Sequence, residues 1–304
     1  MNSLLSRILL ASASMALLCP TTPAALISDG LILNFQADNI DGQNNATLAN
    51  GQEVLEWVDV IVPGGGPDAN NATVQGAVDY LVAGQGTPNY VAGPRPGVQF
   101  TETGANAGDA LGFNTAINGL SNAFTAFLVT DLNNTGPARS MQFGFRNASN
   151  HRIVALANNG YRFNGGAQLF AESQFADGAH VVTYAMDLTQ LYSAADYRFD
   201  GADGTNPATT GDQMLNLTNF NQGFVIGGGK NNTQAFIDPL DGVISALLVY
   251  NRVLSAAEVL EVEAFLTDKF AIPEASTWSL LAMGMAVCGW KRRRRVGASL
   301  AHGS

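Results

Sequence analysis

Apolar residues along this chain gather in short runs, several alternating with polar positions and many bounded by Gly, Asn, Asp or Pro. On this pattern residues 31–35, 97–100, 124–129, 142–145, 151–156, 180–186, 197–199, 223–227 and 242–250 read as strands. Tyr197-Arg198-Phe199 alternates plainly, as on a sheet with one face toward solvent. Many strands at irregular spacing, with almost no helical period, predict an all-β, two-sheet antiparallel sandwich. One stretch departs from it. Ser255 and Glu258 form a capping box, and Val259, Val262, Leu266 and Phe270 recur on one side, predicting a single C-terminal surface helix. Glu258, Glu261 and Glu263 fall near its start, where negative charge suits the helix dipole, and read as its solvated face. Ile272-Pro273 ends the helix.

Two longer apolar runs lie at the ends. Arg7, the run at 8–18 and the small residues Thr22-Pro23-Ala24-Ala25 read as a cleavable signal peptide over 1–25. Leu18 is too large for the residue before a lipidated cysteine, so Cys19 reads as part of the leader. Residues 275–290 carry no charge and as a helix would span roughly 24 Å, short for a permanent membrane span. A core helix would show a polar stripe at period 3.6, and none interrupts this run. Lys291, Arg292, Arg293, Arg294 and Arg295 follow, a cluster that keeps the chain end, 296–304, on the cytoplasmic side of a transmembrane segment.

Without these ends, 26–271 has length enough for one large sandwich. The outward-facing part keeps 9 basic and 24 acidic residues, about −15 of charge, which excludes nucleic acid as an expected partner. Both cysteines, Cys19 and Cys288, fall in the end segments, so the domain has neither disulfides nor thiolate chemistry. His151 and His180 lack metal-ligand spacing and read as surface or satisfied core residues.

The C-terminal stretch resembles the PEP-CTERM family of exported bacterial proteins. Pro273 and Glu274 match its short motif, with Ala275 in place of the second proline; Trp278 and the cluster from Lys291 to Arg295 match its membrane segment and basic tail. The resemblance implies sorting through 272–295 and processing by an exosortase-type membrane enzyme.

A second resemblance covers 28–270 and is to the LamG-like, concanavalin A-type jelly roll. It rests on Leu33-Asn34-Phe35-Gln36-Ala37-Asp38 with Trp57-Val58-Asp59, on Pro88-Asn89-Tyr90-Val91 with 97–100, and on Asp241-Gly242-Val243-Ile244 through Val249-Tyr250-Asn251-Arg252 into the helix. Ala246 stands where the family often has an acid, so no role of that acid carries over.

Retaining glycosidases hold two carboxylates about 5–5.5 Å apart. On one strand that requires acids at alternate positions. No such run exists; Glu53, Glu56 and Asp59 are spaced by three, and Trp57 beside them reads as core. Asp238 and Asp241 are candidate calcium ligands, since related folds bind this ion at the sandwich rim with Asp side chains and carbonyls. Asp196 to Asp203 holds three more aspartates, and Asp-Gly pairs in both segments also suit hairpin turns. Sequons at Asn45, Asn71, Asn133, Asn147, Asn216 and Asn231 read as polar turns, and Gly227-Gly228-Gly229-Lys230 lacks phosphate-loop spacing.

The expectation is a non-enzymatic exported protein of the cell surface or extracellular matrix, contacting polysaccharide or protein through its loops. Trp57, Tyr161 and Tyr192 are candidate sugar contacts. A purely structural matrix protein and a glycoside hydrolase are the alternatives.

Overall fold

The computed structural model describes residues 25–60, 72–73, 86–104, 107–113, 123–132, 139–140, 143–145, 155–157, 160–163, 167–168, 178–187, 190, 196–204, 224–230, 236–237 and 239–272. The strands run β1 (Leu31–Gln36), β2 (Glu56–Trp57), β3 (Ala72–Thr73), β4 (Asn89–Val91), β5 (Gly97–Phe100), β6 (Glu102–Gly104) and β7 (Ala107–Gly108). Then come β8 (Leu111–Phe113), β9 (Ala123–Leu132), β10 (Arg139–Ser140), β11 (Phe143–Phe145), β12 (Ala155–Ala157), β13 (Gly160–Phe163) and β14 (Ala167–Gln168). The last are β15 (Ala179–Asp187), β16 (Asp196–Phe199), β17 (Ala202–Asp203), β18 (Phe224–Ile226), β19 (Gly229–Lys230), β20 (Phe236–Ile237) and β21 (Gly242–Tyr250), followed by helix α1 (Ala256–Lys269). The described chain is thus mostly β, with antiparallel sheets and a single α-helix.

The largest sheet has the order β17-β16-β15-β9-β21-β5-β4, and β1 pairs with β21 beyond the end of β5. A second sheet has the order β11-β18-β8-β3-β2. Side chains between these sheets form the main core: Phe35, Phe124, Leu128, Tyr184 and Leu247 come from the large sheet, Trp57, Phe143 and Ile226 from the other. Each such side chain, once fully buried, contributes about 2–3 kcal/mol. Phe143 meets Tyr184 edge to face, with ring centroids 6.4 Å apart.

β21 shows how sequence sets the faces. Ile244, Leu247 and Val249 point into the main core, whereas Ala246, Leu248 and Tyr250 face the helix. Strict alternation would put Ile244 and Ala246 on one side. An irregularity in the pairing with β9 between Ile244 and Ala246 inserts one extra residue and reverses the faces.

Helix α1 covers the outer face of the large sheet, packing Val259, Val262, Leu266 and Phe270 on Phe127, Val129, Val181 and Leu248. These are the four helix positions predicted from periodicity. Ser255 accepts from the Glu258 N–H, and the Glu258 carboxylate accepts from the Ser255 N–H at 2.8 Å. Glu263 corrects the solvated-face reading. It is buried, accepting from Thr183 Oγ1 at 2.7 Å and from Arg198 Nε at 3.0 Å. The helix covers the sheet face on which Arg198 was expected to meet water.

Candidate functional site

Gly242, the first residue of β21, pairs directly with Phe100, the last of β5. That pairing brings the residue before β21, Asp241, near Glu102, which opens β6. Both are half-buried. The Glu102 carboxyl is pushed up from its ordinary value, first by burial and second by the Asp241 charge.

The surroundings hold this pair in place. Glu102 sits on the short hairpin of β6 and β7, whose base is closed by Asp109. Asp109 Oδ2 accepts from the Thr101 N–H at 2.9 Å, and its own N–H donates to the Thr101 carbonyl at 3.0 Å. Burial pushes the Asp109 carboxyl up, and the Thr101 bonds partly reverse the shift. On the other side, buried Leu240 donates its N–H to Gly227 O at 2.8 Å, anchoring the residue before Asp241. The oxygens of two carboxyls at one sheet end offer acceptors to hydroxyl groups. The same oxygens suit a hard cation.

Sequence reasoning singled out Asp241 and missed Glu102. The signal was the match between the end of β5 and the start of β21, visible only once those strands are paired. Among the described residues no three His, Cys, Asp or Glu side chains group as a metal site. Asp238 lies outside the described residues, as do Pro273, Glu274, Trp278, Lys291, Arg292, Arg293, Arg294 and Arg295 of the expected sorting signal. No helix among the described residues is long and apolar enough to cross a membrane.

Other candidates separate. Trp57 is fully buried against Phe35, with its indole N–H donating to Gln36 O at 3.3 Å, which removes it as a sugar contact. Tyr192 lies outside the described residues, and Tyr161 is placed only by its backbone in β13. Glu53 and Glu56 are exposed, whereas Asp59 is buried and accepts from the Asn34 N–H at 2.8 Å, capping the edge of β1. Asp200-Gly201 forms the tight turn between β16 and β17, with φ of 47° and 77°. These left-handed values are what an Asp-Gly hairpin turn requires. Asp200 also holds His180, Oδ2 to Nδ1 at 2.7 Å, and accepts the Val181 N–H at 2.9 Å, so this histidine is a satisfied one.

No protein-family model and no curated protein sequence matches the chain. Among solved structures it is similar to a sialidase of Trypanosoma rangeli in complex with the inhibitor DANA, at 16% identity and a TM-score of 0.49, over 87% of this chain and 38% of that one. It is also similar to domain 4 of a GH43 extracellular arabinanase from Geobacillus stearothermophilus, in complex with arabinotriose. There the identity is 16% and the TM-score 0.48, over 78% of this chain and 100% of the domain. The chain therefore spans well under half the length of the sialidase it resembles.

The expectation that the chain is not an enzyme is corrected. Against it stand a sialidase and domain 4 of an arabinanase among the solved structures similar to the chain, and that similarity is one of fold. A search for two acids on one strand passes over acids from different elements, such as Glu102 of β6 and Asp241 before β21, whose charge is the second cause raising the Glu102 carboxyl.

Proposed function

We propose that this is an exported protein whose β domain is directed at carbohydrate, and that it engages its ligand at the sheet end where Glu102 meets Asp241. The observation that carries this reading is the convergence of two acids at one end of the large sheet, where Gly242 pairs with Phe100 and the Asp241 charge reaches Glu102. Neighbouring sugar hydroxyls can donate to such carboxyl oxygens.

The same observation favours a second reading, glycoside hydrolysis. A carboxyl whose pKa is raised serves as the acid, and a charged one as base or nucleophile. Glu102 would take the first role and Asp241 the second.

A concanavalin A-like jelly roll over 26–271 is supported by the buried Trp57 and by the passage from β21 into the capped helix. Export through 1–25, transient anchoring through 272–295 with a cytoplasmic end, and exosortase-type processing rest on the leader, the Pro273-Glu274 motif and the basic cluster. Calcium at Asp238 and Asp241 is part of the same proposal.

The test is a glycan array probed with the purified protein, with and without calcium, followed by measuring reducing ends released from each glycan bound. Binding that weakens in both Glu102→Gln and Asp241→Asn supports the reading. Reducing-end release that disappears in Glu102→Gln establishes the hydrolytic version. Binding untouched by either substitution places the site elsewhere, and silence from a folded sample overturns the proposal.

A further inference from the structure

The end of α1 is built with unusual care for a surface helix. Phe270, Ala271 and Ile272 donate their N–H groups to Leu266 O at 3.0 Å, Asp268 O at 3.4 Å and Thr267 O at 3.0 Å. The last two bonds make a Schellman ending, in which the residue at the Ala271 position is usually glycine. Ala271 has φ of 47°, a left-handed conformation that strains an L side chain.

Arg95 grips this strained turn from another part of the chain. Its Nε donates to Phe270 O at 3.1 Å and its Nη2 to Ala271 O at 3.4 Å. Arg95 sits in the loop between β4 and β5, flanked by Pro94 and Pro96, and the following proline confines it to extended backbone. A planar, always charged guanidinium suits the exposed carbonyls and negative dipole of a helix C-terminus. Phe270 and Ile272 are buried in the outer cluster. Lys269 reaches Asp38 Oδ2 at 3.0 Å and also contacts Gln36 Oε1.

We propose that Arg95 is a latch that sets where proteolysis separates the folded domain from the C-terminal segment, confining cleavage to bonds beyond Ile272. A protease needs exposed chain that opens locally. Hydrolysis there adds one water across a peptide bond, leaving a carboxylate on the domain and an amine on the released segment. Arg95 is a positioning residue, and strain at Ala271 makes its contribution necessary. The inference rests on the C-terminal processing proposed above and not on the glycan reading: a chain that bound no glycan would still have this boundary.

The Lys269–Phe270 bond is a built-in reporter, because trypsin cleaves after lysine and this bond lies inside the latched turn. The experiment digests the full chain under native conditions and follows by mass spectrometry the peptide beginning at Phe270. Cleavage there should be slow in the natural protein and on the order of tenfold faster in Arg95→Gln. Adding Ala271→Gly to Arg95→Gln should return the rate toward the natural one, since glycine forms the same turn without strain. A natural protein cut at this bond as fast as a denatured chain, or an Arg95→Gln rate equal to the natural one, overturns the latch. Circular dichroism before digestion verifies folding. If Arg95→Gln does not fold, Arg95→Lys is read in its place, with the same two outcomes.

Discussion

Arg198 Nε donates to Glu263 Oε1 across 3.0 Å, tying strand β16 near the edge of the large sheet to the middle of helix α1. Both side chains are largely shielded from solvent, at 13% and 6% exposure, and Thr183 Oγ1 donates to the same Glu263 oxygen at 2.7 Å. Arg198 also contacts Asp203 and donates from Nη2 to Gly201 O at 2.5 Å, so one guanidinium serves strand, turn and helix.

Removing Glu263 takes from the shielded Arg198 guanidinium its partner on the helix and leaves it only its contacts at the β16–β17 turn. Glu263→Ala is expected to cost about 3 kcal/mol, a Tm decrease on the order of 6–12 °C for a domain of this size. Replacing both charges, as in Arg198→Met with Glu263→Leu, should cost much less, because no charge is then stranded. Thermal melts of the two variants check this; equal losses would show that Glu263 acts through packing alone.

The helix start has its own pH signature. Arg252 Nη2 and Nη1 donate to Glu258 at 2.7 and 3.0 Å, and these bonds first, with those from Ser255 second, pull the Glu258 carboxyl down to about 2. Its folded pKa is depressed, so its contribution is complete above the ordinary value of 4.5 and is lost as pH falls toward 2. The Tm gap between the natural protein and Glu258→Gln should be widest near neutral pH and close by pH 2. Ser255→Ala should cost about 1 kcal/mol. A gap that stays constant with pH would exclude the ionised carboxylate as its cause.

Gly227 adopts φ of 88°, and a Cβ there would strike the Phe100 ring and lie 2.9 Å from Asp109 O. Gly227→Ala therefore combines overpacking with a strained backbone, for an expected cost of about 3 kcal/mol. Its carbonyl also anchors Leu240, so the change should disturb Asp241 along with stability. Denaturant melts give the first effect, and ligand binding by the surviving folded fraction gives the second.

What the sequence made legible follows from how local each signal is. Ser255 and Glu258 lie three residues apart and announce the helix before any fold is known. Its buried stripe is equally local. Glu263 is different: its partner Arg198 lies 65 residues away and meets it only once β16 and α1 cover the same sheet, so a glutamate on a helix flank looked solvated. Trp57 reads as core because of its size, whereas Asp59, two residues on, caps the edge of β1 through a bond spanning 25 residues. The candidate site was half legible. Asp241 sits in a recognisable Asp-Gly start to a long strand, but Glu102 gains its meaning from the Gly242–Phe100 pairing, which no single run of residues encodes.

The Glu102–Asp241 pair should report itself through pH. Because the folded pKa of Glu102 lies above its ordinary value of 4.5, the folded state holds this proton more tightly, and ionising Glu102 opposes folding at higher pH. Below 4.5 the natural protein carries a neutral carboxyl and should melt with Glu102→Gln; as pH rises through the raised value, the variant should become the more stable of the two. Asp241→Asn removes the second cause of the shift and should narrow that difference, leaving the part due to burial. Melts from pH 4 to pH 8 give the curve. Calcium reverses the prediction if it binds here, because a cation between the carboxylates favours their charged forms. It would then raise the Tm of the natural protein at pH 7 and leave both variants nearly unmoved. A Glu102→Gln variant that is less stable at pH 7 without calcium would show that ionised Glu102 is stabilised where it stands, and the unequal pair would no longer explain the site.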